Sequence, residues 1–437
     1  MSNIEKKIKK ISNRPKAYKK LMKRKRIIKK VGSSIAKRRA KETRLKIYGM
    51  AAISVSFIFL TILLYSIVSN GYTAFFQTQI QLPVNFEESL VKSKNYRKMV
   101  RKSLADAFPQ VSGRKDKRSL NSLISKGAAL KLKQIVSDNK EYIGNKKDIW
   151  LPASSDVDMF VKGRISKDTP EHLRKVNNQQ IIWIEELQQK GLIREAFNFS
   201  FFKNGDSREP EMAGILGSFI GSVFVVISCM LLAFPLGVMT AIYLEEFAPK
   251  NKLTEFIEVN ISNLAAVPSI VFGLLGLTIY LQFFGIPRSA SLAGGLTLAL
   301  MALPIIVIAT RTSIRAIPQS IRDGAIALGA SKVQTTIHHV LPLAMPGIMT
   351  GTILSISRIL GETAPLLMIG MVAFVVDIPK GFLDAATAMP VQIYLWADSP
   401  EVGFAEKTSA AIIILLLLLI IANASAVYLR KKFEIRW

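Results

Sequence analysis

The order of apolar and polar positions divides the chain into six long apolar segments separated by polar stretches. A helix of about 20 residues crosses the hydrocarbon layer of a bilayer, so each segment is long enough for one membrane span. The fifth contains Pro365 and several glycines, which predict a kinked helix or a helix with a broken end. The pattern predicts an all-α polytopic membrane protein. The segments lie near residues 47–69, 214–243, 262–284, 290–310, 346–376 and 409–428.

The first apolar segment is interpreted as a signal anchor. A cleaved signal peptide has an apolar region of about 7–15 residues, followed by small residues at the cleavage site. The segment at 47–69 is longer, and no clear cleavage motif follows it. We therefore assign residues 47–69 to the first transmembrane helix and residues 213–437 to a membrane domain with the other five.

Residues 70–212 separate the first span from the second and are polar, with mixed charge and no cysteine. Apolar residues recur at three- and four-residue spacings over 88–108 and 171–192, which predicts two helical regions. The run "FNFSFF" at 197–202 suggests a strand. A segment of this length is able to bury a core, so we predict a small α/β domain between the first and second helices.

Charge predicts the orientation of the chain. Residues 1–46 hold 20 Lys and Arg against two acidic residues, within a total net charge of +28. Short loops rich in Lys and Arg stay in the cytoplasm, so both termini and the loop at 311–345 are predicted to be cytoplasmic. The 70–212 domain carries 25 basic and 17 acidic residues. It is nevertheless predicted to be extracytoplasmic, because long translocated domains largely escape the charge rule.

The basic tail at 1–46 has two interpretations. Lys and Arg neutralise nucleic-acid phosphates, and a cytoplasmic polybasic segment beside a span also binds anionic membrane lipids. The second needs no further assumption because the span follows directly. We favour membrane lipids and expect no nucleic acid.

The composition also limits the chemistry of the chain. There is one cysteine, Cys229, which excludes an intramolecular disulfide. His338 and His339 are adjacent, and neighbouring side chains on a helix diverge, so they form a poor chelate and we predict no metal site. No G-x-x-x-x-G-K-[ST] run occurs. We therefore expect no cofactor in this chain, no catalysis by it, and any ATP on a partner chain.

The loop at 320–342 contains signals for a first short helix. Ser320 and Asp323 fit a capping box, which predicts a helix start near Ile321. Gly329 is predicted to end that helix.

A second helix is predicted to follow. Ser331 and Gln334 fit another capping box, and Pro342 is predicted to end the helix near Leu341. Two capped helices at an angle suggest a rigid contact for a partner protein. An amphipathic loop on the membrane surface explains the local pattern equally well.

Arg358 and Glu362 lie four residues apart in a stretch that is otherwise apolar from Leu343 to Val376. A charged residue at a membrane helix centre costs about 2.5–3.5 kcal/mol on insertion scales, so such residues are usually functional. The spacing predicts that the pair shares one helical face. A salt bridge that only orients the helix is the alternative, although Arg before Glu is the less favourable order.

The loop resembles the EAA motif of ABC-importer permeases, E-A-A-x-x-x-G-x9-I-x-L-P. Three positions depart from the motif, because Asp323 stands for Glu, Gly324 for the first Ala and His339 for the apolar residue. In that family the motif forms the coupling helices that dock on the ATPase subunit. The resemblance assigns ATPase coupling to Asp323 and Gly324 and to the four residues that match the motif: Ala325, Gly329, Leu341 and Pro342.

Further runs resemble phosphate-transporter permeases of the PstA type, especially longer forms with an extracytoplasmic domain after the first span. They include "NLAAVPSIVFGLLGL", "ALPIIVIATRTSIRAIP" and "ILGETAPLLMIGMVAFVVDIP", and the resemblance covers about residues 196–437. It implies a type I ABC importer permease fold with six transmembrane helices in the bacterial inner membrane. It also implies three kinds of partner: a homologous permease (PstC type), an ATPase dimer (PstB type) and an extracytoplasmic phosphate-binding protein (PstS type).

The resemblance gives the charged pair a role in the phosphate path. The family's transport-sensitive Arg and Glu match Arg358 and Glu362. A guanidinium suits a tetrahedral oxyanion, and a carboxylate is able to accept the P–O–H proton that phosphate has and sulfate lacks. Ser357 and Thr363 are candidates for additional hydroxyl donors.

Two alternatives come from other classes of protein. An ion-coupled secondary anion transporter would have no ATPase partner and is expected to show an internal repeat, which the sequence does not show. A membrane-anchored sensor would need only one or two spans. A permease for another oxyanion also stays open.

Overall fold

The computed structural model describes residues 15–372 and 374–433. The first 14 residues of the predicted basic tail and the last four residues of the chain lie outside the described residues. The chain divides into two compact units, Met1–Ser66 and Ile67–Trp437. They are described separately.

The described part of the first unit is helical. Helix α1 runs from Pro15 to Gly71, so residues 15–46 of the basic tail and the predicted first span form one continuous helix. Its stretch Lys37–Phe75, extended by the short 3-10 turn after α1, is long and apolar enough to cross a membrane. An i,i+4 pair, Lys46 with Glu42 at 3.1 Å, lies on its exposed surface.

The second unit begins with a domain inserted between the first and second spans, hereafter the inserted domain, residues 76–197. Its sheet has the order β2-β1-β3, and both pairings are antiparallel. Ile80, Leu82 and Val84 alternate along the central strand and are fully buried, because side chains at period two share one face of a strand. The strands are β1 Phe76–Asn85, β2 Lys146–Pro152 and β3 Ile193–Phe197.

Helices cover the buried face of this sheet. Asn95 caps one of them by accepting from Lys98 N, and Asn177 forms a capping box with Gln180. The helices predicted over 88–108 and 171–192 are thus present, with a break before Tyr96. The six helices are α2 Glu88–Lys92, α3 Tyr96–Ala107, α4 Arg114–Asn121, α5 Ala128–Asp138, α6 Ser155–Val161 and α7 Asn178–Gln189.

The strand predicted at "FNFSFF" is wrong beyond Phe197. A short helix, α8 Phe199–Lys203, follows at once. The side chain of Asn198 accepts a hydrogen bond from Phe201 N, and Phe201 is fully buried. A local cap and an aromatic anchor therefore determine the backbone here rather than β propensity.

The rest of the unit consists of membrane helices and short connecting helices. In the described part of the chain, five helices are long and apolar enough to span a membrane, or six if one bent pair counts as a span. The elements after α8 are α9 Leu216–Phe247, α10 Lys252–Ala265, α11 Ser269–Phe283, α12 Ser291–Arg315, α13 Gln319–Ala327, α14 Lys332–Gly361, α15 Ala364–Met368, α16 Met389–Ala397 and α17 Val402–Phe433.

The predicted third span, 262–284, is not one helix. α10 and α11 meet at 101° across a break that contains Pro268. Proline lacks a backbone N–H, and its ring clashes with the carbonyl four residues earlier, so α10 ends at Ala265. Downstream of the break, an added Cβ on Gly273 would lie 2.8 Å from both Pro365 Cα and Met368 Cβ. The glycine thus allows close packing of α11 against α15.

The inserted domain is fixed to the start of α17 by a buried ionic cluster. Lys162 Nζ donates to Asp158 Oδ2, Glu406 Oε1 and Phe76 O, each at 2.8 Å. The side chains of Lys162, Asp158 and Glu406 are only 4%, 10% and 5% exposed. A buried ammonium with three acceptors is well satisfied, so the domain is held rigidly at this point.

Candidate functional site

The charged pair lies at the end of α14. Arg358 Nε is 3.6 Å from Glu362 Oε1, and the two side chains are 48% and 19% exposed. The pair thus makes contact in the folded chain, and the Arg358 side chain is more accessible than that of Glu362. An accessible guanidinium has donors left for a further ligand.

The prediction that both residues lie on one face of a helix is wrong, because only Arg358 lies within the helix. α14 ends at Gly361, and Glu362 has an extended backbone with φ −79° and ψ 124°. Pro365 explains this end, because a continued helix would press its ring against the carbonyl of Gly361. Glu362 therefore belongs to the link between α14 and α15 and reaches back to the last turn of α14.

The two predicted hydroxyl residues do not join the pair in a common arrangement. Ser357 Oγ lies 3.0 Å from Ile353 O and also contacts Asn423 Oδ1, which places it towards α17. Thr363 directly precedes α15, with φ −109° and ψ −45°. Of the four predicted substrate-path residues, the structure brings only Arg358 and Glu362 into contact.

The segment predicted to couple to an ATPase begins with α13. The prediction of a capping box at Ser320 and Asp323 is wrong, because the helix begins at Gln319 after Pro318. Asp323 instead accepts a hydrogen bond from Gln319 Nε2 at 3.1 Å. Pro318 is the N-cap residue, with φ −57° and ψ 138°, and no side-chain hydrogen bond caps the helix. Ala325 is buried, and Gly324 has open space around it.

The second half of the segment differs at its end. The capping box of Ser331 and Gln334 is confirmed. Pro342 does not end the helix as predicted, because α14 continues through Leu341 to Gly361. A wide π-helical turn at Thr335–Val340 precedes the proline. The wider turn changes the hydrogen-bond register just where a missing N–H would otherwise break it.

Gly329 makes the sharp turn between α13 and α14, with φ +90°. We expect Gly329→Ala to destabilise this turn by about 1–2 kcal/mol, because an L-residue is strained in the left-handed region. Gly324→Ala is the matched control, since neither glycine has an atom within 4 Å of an added Cβ and only Gly329 has positive φ. Thermal unfolding of the purified protein measures both, and equal melting temperatures for the two variants would contradict the expectation.

An ionic network that the sequence analysis missed holds this segment to the membrane helices. Arg322 donates to Glu246 Oε1 from Nε at 3.1 Å and from Nη2 at 2.7 Å. Arg311 bridges Glu245 at 3.3 Å and Glu258 at 2.6 Å. The adjacent acids in "YLEEF" and the arginines of α12 and α13 were the available signal, but their pairing required the fold.

The outer surface of the segment includes four exposed apolar side chains. Leu328 is 91% exposed, and Ile326, Val333 and Ile337 are each more than half exposed. Such residues, clustered on a rigid turn, are typical of a protein interaction site.

Two family models match the chain. The model described as "Binding-protein-dependent transport system inner membrane component" matches residues 233–435, and "Domain of unknown function (DUF3333)" matches residues 32–171. The first covers the helices that carry the charged pair and the coupling segment. The second covers α1 from residue 32 onward and most of the inserted domain.

Curated relatives are permeases. The Haemophilus influenzae "Phosphate transport system permease protein PstA" is 31% identical over 210 residues, which cover 47% of this chain and 71% of that protein. The Mycobacterium leprae PstA is 36% identical over 46% of this chain and 66% of its own length. The Bacillus subtilis "Probable ABC transporter permease protein YqgI" is 35% identical over 39% and 58%. The chain thus spans 66% of the length of the Mycobacterium leprae protein and 58% of the length of the Bacillus subtilis protein.

A solved structure of the MetNI methionine ABC transporter in an inward-facing conformation is 15% identical, with a TM-score of 0.41, over 51% of this chain and 95% of that one. The membrane helices and their match to the permease model make this a multi-pass membrane protein with no catalytic role of its own. On the extent and identity of these matches, the chain belongs to the PstA family of phosphate transport system permease proteins, which have the type I ABC importer permease fold.

Proposed function

We propose that this chain is the permease subunit of an ATP-driven phosphate importer and forms half of its transmembrane pathway. A homologous permease (PstC type) forms the other half, an ATPase dimer (PstB type) drives transport, and an extracytoplasmic binding protein (PstS type) delivers phosphate. The chain lies in the bacterial inner membrane with both termini in the cytoplasm. The names of the curated relatives support this proposal.

The observation that carries the proposal is the Arg358–Glu362 pair, with its guanidinium about half exposed. An exposed ion pair contributes only about 0–1 kcal/mol, so orienting the helix is a weak reason to keep two charges here. Here the cation keeps donors available for an anion, while the carboxylate next to it is able to accept from a P–O–H group. Such a site favours a protonated oxyanion over sulfate.

The coupling role is supported by the segment 320–342. Its exposed apolar residues need a partner surface, and Arg322 ties it to the end of α9 through Glu246. A push on α13 is therefore transmitted to the membrane helices through an ion pair of low exposure. We assign this contact to the ATPase dimer.

The test is uptake of radiolabelled phosphate into lipid vesicles. The vesicles contain the purified transporter complex, which includes the full-length chain. We expect uptake that requires ATP on the cytoplasmic side and that excess sulfate does not inhibit. Uptake driven by an ion gradient without ATP would identify a secondary transporter instead. Preferred transport of sulfate would show that the substrate assignment is wrong.

A further inference from the structure

The loop between the inserted domain and the second span is compact and well ordered by its own contacts. We define the connecting loop as residues 204–214. Gly214 N donates to Gly205 O at 2.8 Å, and Asn204 Nδ2 donates to Met212 O at 3.0 Å. These bonds close the loop on itself, so it behaves as a folded element rather than as a flexible linker.

The connecting loop is attached to the inserted domain. Gln77 Nε2 of β1 donates to Glu211 O at 3.0 Å, and Lys126 pairs with Glu209. The Glu211 side chain is buried, and this burial raises the pKa of its carboxyl above the usual range. A buried carboxyl at this position shows that the loop is packed against the domain and shielded from water.

The same loop is attached to the helices at the end of the chain. Trp396 Nε1 donates to Asp206 Oδ1 at 3.0 Å, and Lys407 Nζ donates to Ala213 O. Together with the Lys162–Glu406 pair, these contacts fix the domain and the loop to α16 and α17.

The connecting loop also contacts the segment that follows the charged pair. Asp206 N donates to Val375 O at 3.1 Å. A Cβ added to Gly205 would lie 2.8 Å from Val376 C and closer still to its oxygen. Glycine is therefore required at 205 by the close approach of the two backbones.

The first part of the chain between Glu362 and Val375, residues 362–371, is tightly held. It contains α15 and a turn in which Met371 N donates to Leu366 O at 3.0 Å. Ser289 Oγ donates to Gly370 O at 2.7 Å, and Leu366 and Met371 are buried. These anchors fix residues 364–371 directly after Glu362, and Val375 follows four residues after Met371.

We propose that the connecting loop positions the link that carries Glu362, so that the inserted domain sets the geometry of the anion path. Gly205, Asp206 and Trp396 are positioning residues in this scheme. They act through Val375 and Val376 and do not touch the anion. The proposal rests on the proposed function, because it assigns the Glu362 link to the phosphate pathway.

The test compares ATP hydrolysis and phosphate uptake in the purified complex. Gly205→Ala adds one methyl group against Val376, and Asp206→Ala removes the acceptor for Trp396. In both variants we expect the number of ATP molecules hydrolysed per phosphate transported to rise about two- to tenfold. This factor corresponds to the free energy of one net hydrogen bond. Asp206→Asn keeps an oxygen acceptor and is expected to restore the wild-type ratio.

Gly49→Ala is the matched control, because an added Cβ there meets no atom within 4 Å. A merely structural role would lower hydrolysis and uptake in proportion and leave their ratio unchanged, which would overturn the proposal. If Gly205→Ala fails to reach the membrane, Trp396→Phe removes only the donor, and an unchanged ratio in that variant overturns it equally. A wild-type complex that transports no phosphate would instead disprove the proposed function.

Discussion

Replacing Arg358 with Gln is expected to abolish phosphate uptake while the complex still assembles. Gln keeps much of the side-chain length but removes the positive charge and most of the five donors that suit a tetrahedral anion. A hydrogen bond to a charged group contributes about 1.5–3 kcal/mol, which corresponds to a roughly 10- to 150-fold loss of transport. Arg358→Lys is expected to restore part of the uptake, because it keeps the charge but not the planar fork. Uptake of radiolabelled phosphate, normalised to the permease in the membrane, is the measurement.

The matched control is Arg288→Gln, because Arg288 is exposed and, among the described residues, has no carboxylate within ion-pair distance. The double variant Arg358→Gln with Glu362→Gln separates the two interpretations of the pair. If the pair were only an orienting salt bridge, removing both charges would restore uptake, because no unpaired charge would be left. Normal uptake in either Arg358 variant or in the double variant would contradict a role in the anion path.

Arg322→Ala is expected to uncouple ATP hydrolysis from transport and to lower stability. The Arg322 and Glu246 side chains are only 13% and 8% exposed. The guanidinium also donates to Ile317 O at 2.9 Å and Ile314 O at 3.0 Å. Removal of one partner from a buried pair costs about 3–5 kcal/mol, because the other charge is left uncompensated. The melting temperature of the purified protein and the ATP hydrolysed per phosphate transported measure the two effects.

Arg315→Ala provides the control for this prediction. Arg315 Nε also pairs with an acid of the same turn, Glu245 at 2.7 Å, but its side chain is 58% exposed. Glu245 keeps a second partner, Arg311, so no charge is left alone. Exposed pairs contribute about 0–1 kcal/mol, and we expect near-normal coupling. Equal losses in the Arg322 and Arg315 variants would show that the low exposure of the Glu246 pair has no special role.

The parts of the fold that depend on local sequence were predicted well. Long apolar runs located the membrane helices, and the Ser331–Gln334 capping box was correct because both of its hydrogen bonds form within four residues. The break at Pro268 and the helix end before Pro365 follow from the same local rule, but the apolar pattern concealed them. An apolar run indicates that a segment avoids water, but it does not show whether the helix is continuous.

Other features depended on tertiary contacts and were not predictable from one sequence. A proline usually ends or kinks a helix. At Pro342, a π-helical turn before the proline lets α14 continue. The pairing of Arg322 with Glu246 joins residues 76 positions apart. The contact of Asp206 with Val375 joins two loops that carry no periodic signal.

The low exposure of Lys162 and its two carboxylate partners has a consequence for how the inserted domain responds to its surroundings. Dissolved ions weaken attraction between charges by gathering around them, within about 8–10 Å at ordinary ionic strength. Ions in solution screen a cluster of such low exposure much less than they screen charges in open water. The attachment of the domain therefore depends less on salt concentration than its exposed lysine–glutamate pairs do.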